Sequence, residues 1–504
     1  MAGRDDTYNK THHVVARLTL LLIASTTALL LLIVGGVILV AFDNGYFGIT
    51  RSIYISNMEI SIERLIDISP FILASFFVIP VIVLFFLTAE VTAGIRVIRH
   101  RDYKTPLHKT PDILPTSKQA IAKLANADIS DKLPGHGAFY TKDITIKKPR
   151  VIAIIPAHNE QETLGSAIDS LLSQTYKPNR IYVLADNCTD DTVKIANQYG
   201  CNVFKTKNNI NKKAGALNQI LSQILPKCNH NDLILVMDAD GVVSHDFLKV
   251  AVDKMLQRRD LTAIGGLFYG EKGHGILGQL QRNEYARYQR QIGRRKGEVF
   301  VLTGTASMFR APALVALAKS RGHLVPGNLG EYYDTEALTE DNEITIALKS
   351  LGGVLLSPQQ CRVTTEVMTS WGDLWRQRLR WQRGALENIG AYGITRSTFR
   401  YWFQQVGIGY GVIALNSYLI LMLITFLSVE RFEPILFWLI IGMIFVVERT
   451  VTAWRAGRFG VLISLPLFIE IAYDLFIQAA FLKSLVDIIF AKEARWGHAT
   501  ERLG

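Results

Sequence analysis

The sequence predicts an α/β domain of the doubly wound type that is inserted between two groups of transmembrane helices. Three observations indicate this fold class. Apolar runs long enough to cross a bilayer lie near both ends of the 504-residue chain, and between them short β-branched runs alternate with helical periods. The mean hydropathy is positive, at +0.20, with 49% hydrophobic residues against 20% charged ones, a composition that excludes a disordered or fibrous chain.

The first two predicted transmembrane helices are the uncharged runs 18–42 and 70–89. Each is long enough to cross a hydrocarbon core of about 30 Å at about 1.5 Å per residue. The first run is too long for the apolar core of a signal peptide and lacks a small-residue cleavage site, so we expect it to be retained. Basic residues flank the pair on its outer sides, and the positive-inside rule therefore places the middle of the chain in the cytoplasm. Residues 1–95 form the predicted transmembrane hairpin, and residues 96–149 form a cytosolic connector.

Apolar runs resume in residues 401–504, the predicted C-terminal transmembrane region and tail, and indicate about three further spans. They cover residues 403–429, 434–454 and 459–490. The last run contains Glu470 and three other ionisable residues, which would face a bundle interior or an aqueous path unless the segment is partly interfacial. An odd number of spans would place the basic tail outside, against the charge rule, so the side of the tail stays open.

The net charge of +11 is compatible with nucleic acid, anionic lipid or a phosphorylated substrate as a partner. In a membrane protein, cytoplasmic loops and lipid head groups account for such an excess, so we expect membrane lipids and no nucleic acid. The cysteines form no CxxC pair and have no metal-ligand spacing, which predicts reduced thiols in a cytosolic domain. They are Cys188, Cys201, Cys228 and Cys361.

Six short apolar or β-branched runs after Arg150 predict the strands of the central sheet. They are residues 151–156, 181–185, 201–205, 233–237, 263–267 and 299–302. Ligands of open α/β sheets bind beyond the carboxyl ends of the strands, so the polar residues directly after each strand form the candidate site. An acidic residue such as Asp186 is, taken singly, more often a helix cap, but three acidic strand ends in one sheet favour a binding site.

Two carboxylates, Asp238 and Asp240, follow a wholly apolar predicted strand. Mg²⁺ and Mn²⁺ prefer oxygen ligands of this kind and bridge readily to phosphate oxygens. The alternative is a turn with a helix cap, since a DxD pair arises often by chance. A cap would leave one of the two carboxylates without a role, so we favour a metal site.

Seven motifs occur in order between about residues 150 and 390: PAHNE, DNCTDDT, NKKAGALN, MDADG, TGTASMFR, LTEDNE and QRLRW. With this order, and with apolar segments on both sides, the chain resembles the membrane-embedded family 2 glycosyltransferases. These include the synthases of hyaluronan, chitin, cellulose and poly-N-acetylglucosamine. The resemblance implies a GT-A fold for residues 150–370, a UDP-sugar donor, Mg²⁺ or Mn²⁺ as cofactor, and inversion at the anomeric carbon. It also implies that residues 371–400 contain an interfacial helix with the QxxRW motif.

The resemblance further implies a role for each matching residue. Asp341 would be the general base, with Glu340 as the next candidate, and Asp238 and Asp240 would hold the metal ion. The implied donor-binding residues are Ala157, Asn159, Glu160, Asp186, Lys213, Asp238 and Arg380. The implied acceptor-binding residues are Gly304, Thr305, Gln377 and Trp381. Many relatives have Asp or Gly where Asn187 follows Asp186 here, so the detailed uracil or ribose contact stays open.

Two amphipathic helices are expected at the membrane surface. In the first, Gln377, Arg380 and Trp381 are spaced i, i+3 and i+4 and would share one face toward diphosphate and sugar. An apolar stripe on this helix would lie on the membrane. The stripe consists of Trp371, Trp375, Leu379 and Leu386. The second helix, predicted over residues 277–296, is rich in arginine, and we expect it to be solvated on anionic head groups, with polymer or donor contact as the alternative.

The function favoured by these observations is a processive synthase in the plasma membrane, with a cytoplasmic catalytic domain. It would extend a polysaccharide and pass it through a channel made by its own spans, and we favour UDP-N-acetylglucosamine as donor. The first alternative is a non-processive transferase that acts on a lipid acceptor. The second is a transporter with a nucleotide-sensing domain, which would need neither a base at Asp341 nor a metal ligand at Asp240. The oligomeric state stays open.

Overall fold

The computed structural model describes residues 52–55, 58–61, 148–428, 436–490 and 492. The predicted spans 18–42 and 70–89 and nearly all of the predicted connector lie outside these residues. The described residues near the N-terminus form an antiparallel strand pair, β1 (Ser52–Ile55) and β2 (Met58–Ser61). The chain divides into two compact units, and all of the site lies in the unit that contains residues 148–401 and 442–484.

The centre of this unit is a seven-stranded mixed sheet with the strand order β11-β8-β10-β6-β3-β4-β5 among the described residues. Its strands are β3 (Val151–Ala157), β4 (Arg180–Ala185), β5 (Asn202–Lys205), β6 (Leu233–Met237), β8 (Leu261–Gly265), β10 (Ala306–Arg310) and β11 (Val354–Leu356). Strands β3 to β6 pair in parallel, whereas β10 runs antiparallel between β6 and β8. The prediction of an α/β sheet is confirmed, and the antiparallel strand makes it mixed.

The β-branched and aliphatic runs form central strands because helices cover the sheet. Every residue of β6 is buried, as expected for a strand between two others that is covered on both faces. The helices of this part of the chain are α1 (Leu164–Leu172), α2 (Thr192–Gln198), α3 (Lys212–Ile224), α4 (Phe247–Gln257), α5 (Gly275–Arg294), α6 (Ala311–Ser320), α7 (Glu340–Ser350) and α8 (Trp371–Tyr392).

The predicted strand 263–267 is divided between two sheets. Strand β8 ends at Gly265, and β9 (Leu267–Gly270) joins a three-stranded sheet with β12 (Arg362–Thr365) and β7 (Val242–Val243). The chain crosses at Gly266, where a Cβ would lie 3.1 Å from the Ala306 carbonyl oxygen and 3.1 Å from the Val363 side chain. Glycine permits this close approach without any shift of the neighbouring atoms.

The predicted strand 299–302 is wrong. This segment is buried but irregular, and the strand in this region is β10, which begins at Ala306. Side chains of α7 take the place of a neighbouring strand: the Lys349 ammonium donates to the carbonyl oxygens of Val299 and Phe300, and the Leu302 amide donates to the Thr345 hydroxyl. These backbone groups therefore form hydrogen bonds with side chains instead of with a neighbouring strand. The apolar content of the segment does not reveal this difference.

The C-terminal part of the chain is helical. Its helices are α9 (Phe399–Ser428), α10 (Leu436–Ala453), α11 (Arg458–Ser464) and α12 (Phe468–Ile489). Among the described residues, no helix taken alone has the length and apolar character of a membrane span. Helices α11 and α12 reach that length and composition only as a pair, and an 84° bend separates them within the predicted span 459–490. The number of spans stays a prediction.

Helix α5 corrects the expectation of a solvated basic helix. Half of its residues are buried, and the buried polar ones are Gln279, Gln281, Asn283 and Gln289. Asn283 and Arg287 bind the buried carboxylate of Glu470 on α12, both at 2.9 Å. The helix has a polar sequence because its partners are the polar groups of other helices rather than water.

Candidate active site

The carboxyl ends of β3, β4 and β6 bring the predicted strand-end residues to one edge of the sheet. The register pairs Ala157 with Ala185 in parallel, so Asp186 lies beside the segment that begins at His158. The imidazole Nδ1 of His158 lies 2.6 Å from the Asp186 carbonyl oxygen. Asn159 has a left-handed backbone conformation, with φ of 56°, at the tight turn after β3.

Asp186 is a buried carboxylate held by neutral donors. Asn209 donates to both of its oxygens at 2.9 Å, and Thr206 donates to one of them at 2.7 Å. Asp191, not Asp186, occupies the N-cap position of α2. The helix-cap reading of Asp186 is therefore wrong, and the carboxylate is fixed in place at the strand end.

Glu160 lies in the same group of strand-end residues. Its carboxylate accepts a hydrogen bond from the Thr163 hydroxyl at 2.9 Å, and its amide donates to Thr192 at 2.8 Å. Burial, with Asp240 and other nearby carboxylates, raises the pKa of Glu160 to about 7. The raised pKa reflects first the burial of the carboxyl group and then the acidic side chains near it, among them Asp240.

A second group, here called the carboxylate cluster, consists of Lys213, Asp238, Glu340 and Asp341. The Lys213 ammonium, in the first turn of α3, lies 2.6 Å from Asp238 Oδ1 and 2.8 Å from Glu340 Oε1. The acidic residues Glu340 and Asp341 begin α7, where negative charge is favoured by the helix dipole. Three elements far apart in sequence therefore place charged side chains in one small volume.

Gly304 lies at the centre of the carboxylate cluster. Its amide donates to Asp341 Oδ2 at 3.2 Å. A Cβ at this position would lie 3.3 Å from Lys213 Nζ, 3.4 Å from Asp238 Oδ2 and 3.5 Å from Asp341 Oδ2. The absence of a side chain lets the backbone of Gly304 lie close to all three charged groups. The neighbouring Thr305 contributes its carbonyl oxygen, which accepts from the Asp238 amide at 3.1 Å.

The two adjacent carboxylates of α7 have opposite electrostatic environments. Burial and the neighbouring Glu340 raise the pKa of Asp341 to about 6. Burial also disfavours ionisation of Glu340, but the Lys213 ammonium outweighs it and holds the pKa of Glu340 below its usual value. Because the two pKa values are shifted in opposite directions, Asp341 is suited to accept a proton and Glu340 is suited to remain an anion.

Asp240 and Asp238 fit a hard divalent cation by the chemistry of their donors. Asp240 accepts a hydrogen bond from the Thr365 hydroxyl at 3.1 Å, and burial raises its pKa, as do nearby carboxylates such as Glu366. Burial likewise raises the pKa of Asp238 to about 6. Carboxylates that crowd one another in this way are stabilised by a cation. No group of three or more His, Cys, Asp or Glu side chains suited to a metal ion occurs in the described part of the chain.

Helix α8 carries the QRLRW motif and begins with a side-chain cap, in which the Asp373 amide donates to Ser370 Oγ at 3.1 Å. Burial lowers the pKa of Lys212, and the Arg380 guanidinium adds to that shift. After Lys213, Arg380 also contributes to the low pKa of Glu340. The charge of Arg380 is therefore felt at the carboxylate cluster, and its donor-binding role stays a prediction.

Part of the predicted membrane-facing stripe of α8 packs against another helix. Ring centroids of Trp371 and Trp375 lie 4.9 and 5.5 Å from that of Phe476 on α12, in edge-to-face geometry. Leu386 is buried within the protein. The two tryptophans contact α12, which amphipathicity alone does not distinguish from contact with a bilayer, and Trp371 keeps 47% of its surface exposed.

Sequence reasoning missed the residues that support α7 and α8. The Arg321 guanidinium forms a fully buried bidentate pair with Glu343, with both contacts at 2.8 Å, and Tyr392 donates to the same carboxylate at 2.6 Å. Glu343 belongs to the LTEDNE motif, which is the one signal that could have identified it. Arg378 was missed as well, although it lies within QRLRW.

The four cysteines are all free, which confirms the prediction of thiols.

Comparisons with known proteins identify the domain in the middle of the chain. Residues 152–317 match the model for glycosyl transferase family 2. Poly-beta-1,6-N-acetyl-D-glucosamine synthase from Staphylococcus aureus (strain COL) is 25% identical over 240 residues, which cover 46% of this chain and 54% of that protein. The Staphylococcus epidermidis enzyme of the same name is 27% identical with the same coverage, so this chain spans about half the length of the curated relatives it matches.

Among solved structures, the mannosyltransferase PcManGT from Pyrobaculum calidifontis, in complex with GDP-Man and Mn²⁺, has a TM-score of 0.45 at 14% identity. The similarity covers 75% of this chain and 98% of that one. The seven motifs, the mixed α/β sheet and the matches of domain and sequence agree with one another. Residues 152–317 therefore form a glycosyltransferase family 2 domain, and the chain resembles the poly-β-1,6-N-acetyl-D-glucosamine synthases.

Proposed function

We propose that this protein transfers a sugar from a UDP-sugar to a growing polysaccharide with inversion at the anomeric carbon. The observation that carries the proposal is the convergence of Lys213, Asp238 and Asp341 around the backbone of Gly304. A proton acceptor and a diphosphate-binding cation are then close to one cavity. An inverting transfer needs these two functions and no covalent intermediate.

Asp341 is the proposed general base. With a pKa of about 6, its carboxylate is ionised at neutral pH yet basic enough to take a proton. The acceptor hydroxyl gives its proton to Asp341 as its oxygen forms the new bond to the anomeric carbon. The bond from that carbon to UDP breaks, and UDP leaves with the electron pair.

The leaving diphosphate is neutralised by cations of this site. Lys213 is the proposed protein cation, and Glu340 serves as its anchor rather than as the base, because the two groups are 2.8 Å apart. Asp238 and Asp240 would hold Mg²⁺ or Mn²⁺, which supplies positive charge to the diphosphate when bound. Arg380 adds charge from α8. The uridine would lie along Ala157, Asn159, Glu160 and Asp186.

N-acetylglucosamine is the proposed sugar, and polymer extension is the proposed outcome. The names of the Staphylococcus relatives support the sugar. The half-exposed ring of Trp381 supports polymer extension, because an aromatic plane can stack on a pyranose ring and let the chain slide by one unit. Gln377, Gly304 and Thr305 would border the same acceptor.

A panel of radiolabelled UDP-sugars tests this proposal, with purified protein and Mg²⁺ or Mn²⁺. We expect incorporation from UDP-N-acetylglucosamine into high-molecular-weight product. Short or lipid-linked product would support the non-processive alternative instead. No incorporation from any UDP-sugar would contradict both.

Translocation through a plasma-membrane channel is proposed from the apolar segments and the positive-inside rule. A cysteine introduced at Asn57 should be labelled by a membrane-impermeant maleimide in intact cells. One introduced at Lys109 should not be labelled. The reverse pattern would place the catalytic domain away from its cytoplasmic UDP-sugar supply.

A further inference from the structure

The buried arginine within QRLRW, Arg378, contacts the two residues of this motif to which acceptor binding is assigned. Arg378 is 1% exposed, and its guanidinium carbon lies 4.4 Å from the centroid of the Trp381 ring. Its Nη1 donates to Gln377 Oε1 at 2.7 Å. A single side chain thus touches the amide and the aromatic ring of the acceptor site.

These contacts set the orientation of both groups. An arginine carries only hydrogen-bond donors, so the Gln377 carbonyl oxygen must face Arg378, and the amide NH₂ is left to donate to a sugar oxygen. The guanidinium covers one face of the Trp381 ring in a cation–π contact. The ring nevertheless keeps 37% of its surface exposed, which is available to a pyranose.

Two residues from other helices hold Arg378. Its Nη2 donates to Glu284 Oε2 at 2.8 Å, and the Tyr473 hydroxyl donates to the same oxygen at 2.6 Å. Glu284 lies on α5, and Tyr473 lies on α12, 189 residues further along the chain. A buried arginine with such partners has one position, because moving it would leave a buried charge without compensation.

We propose that Arg378 is a positioning residue for acceptor binding and that Glu284 and Tyr473 hold it in place. The proposal rests on the proposed role of Gln377 and Trp381 in binding the acceptor. It makes α12, the second helix of the bent pair, part of the machinery that orients the acceptor site.

Arg378→Lys tests the positioning role, because lysine keeps the charge but lacks the planar fork that reaches Glu284 and Gln377 together. We expect the KM for an N-acetylglucosamine oligosaccharide to rise by about tenfold to a hundredfold, as for other small misplacements of a binding group. The KM for UDP-N-acetylglucosamine and the affinity for UDP should stay near wild type. A merely structural role would change donor and acceptor parameters together.

Tyr473→Phe is the milder variant, since it keeps the ring and removes one hydrogen bond to Glu284. The acceptor KM should rise roughly fivefold, as expected for one hydrogen bond, again without a change in the donor KM. Arg383→Lys is the matched control, because Arg383 lies on the same helix and pairs with Glu387 at 2.7 Å. This control should leave both KM values near wild type.

Trp381→Ala separates a failure of this proposal from a failure of the proposed function. An unchanged acceptor KM in Trp381→Ala overturns the acceptor role itself. A raised acceptor KM in Trp381→Ala, with wild-type values in Arg378→Lys and Tyr473→Phe, overturns only the positioning role. If Arg378 acts through the ring, the Arg378→Lys and Trp381→Ala effects will not add in the double variant, whereas additive effects contradict the proposal. Should Arg378→Lys fail to fold, Tyr473→Phe decides alone.

Discussion

The carboxylate cluster and the helix that carries Trp381 are built in different ways. The cluster depends on strand ends and helix starts, where a backbone element ends and a polar side chain follows directly, as Asp238 follows β6. The α8 site depends on side chains from other helices, since Glu284 and Tyr473 hold Arg378. The difference teaches that the ends of strands and helices are enough to set the carboxylate cluster, whereas the proposed acceptor site on a helix needs side chains from other helices.

If the strand-end carboxylates hold a metal ion for the donor, removing the ion has the largest effect. EDTA should abolish transfer by the wild type, and added Mg²⁺ or Mn²⁺ should restore it, because the diphosphate loses its main charge neutraliser. Asp240→Asn should also abolish sugar incorporation. Asp246→Asn, an exposed carboxylate at the N-cap of α4, is the control and should retain activity. Full activity in EDTA would contradict the metal site.

Replacing the proposed general base, Asp341, should have the next largest effect on activity. Asp341→Asn keeps the shape and the hydrogen bond from Gly304 but cannot take a proton, so kcat should fall by about 10²- to 10⁴-fold. The affinity for UDP, measured by calorimetry, should survive. Glu340→Gln is the comparison and should weaken donor binding instead, since it removes the partner of Lys213. Retention of more than about half of the activity in Asp341→Asn would reassign the base.

The acceptor side can be tested by comparing two tryptophans of α8. Trp381→Ala should raise the acceptor KM by about tenfold and eliminate long polymer, because one stacked ring contributes about 1 kcal/mol or more. Trp375→Ala should chiefly lower Tm, since Trp375 packs on Phe476. Product length on a gel and thermal unfolding in detergent distinguish the two. Equal damage by both variants would make Trp381 a packing residue.

The pH dependence gives the smallest expected effect near neutrality. Asp341 must be ionised to accept a proton, and its pKa of about 6 means that the active form is lost as pH falls through that value. The kcat/KM of the wild type should therefore decrease by about tenfold per pH unit below pH 6 and level off above it. UDP affinity and protein stability measured over the same range are the controls. A flat profile between pH 5 and pH 7 would exclude Asp341 as the titrating base.

Local patterns predicted much of the sheet and its edge. The structure contains strands at 151–157, 180–185, 202–205 and 233–237, close to the predicted runs. The predicted strand 299–302 was wrong because a buried apolar segment can satisfy its backbone through side chains of α7. Asp186 was located correctly, while its donors Thr206 and Asn209 lie on a loop without a recognisable signal.

The sequence by itself determined the α/β class, the order of the motifs and the acidic strand ends, since each depends on residues that are neighbours along the chain. Only the tertiary structure decided which carboxylate of α7 pairs with Lys213, that half of α5 is packed against other parts of the protein, and that Glu284 and Tyr473 hold Arg378. These contacts join residues up to 189 positions apart, and they leave no periodic trace in the sequence. A polar helix and an amphipathic stripe look the same in sequence whether water, lipid or another helix covers them.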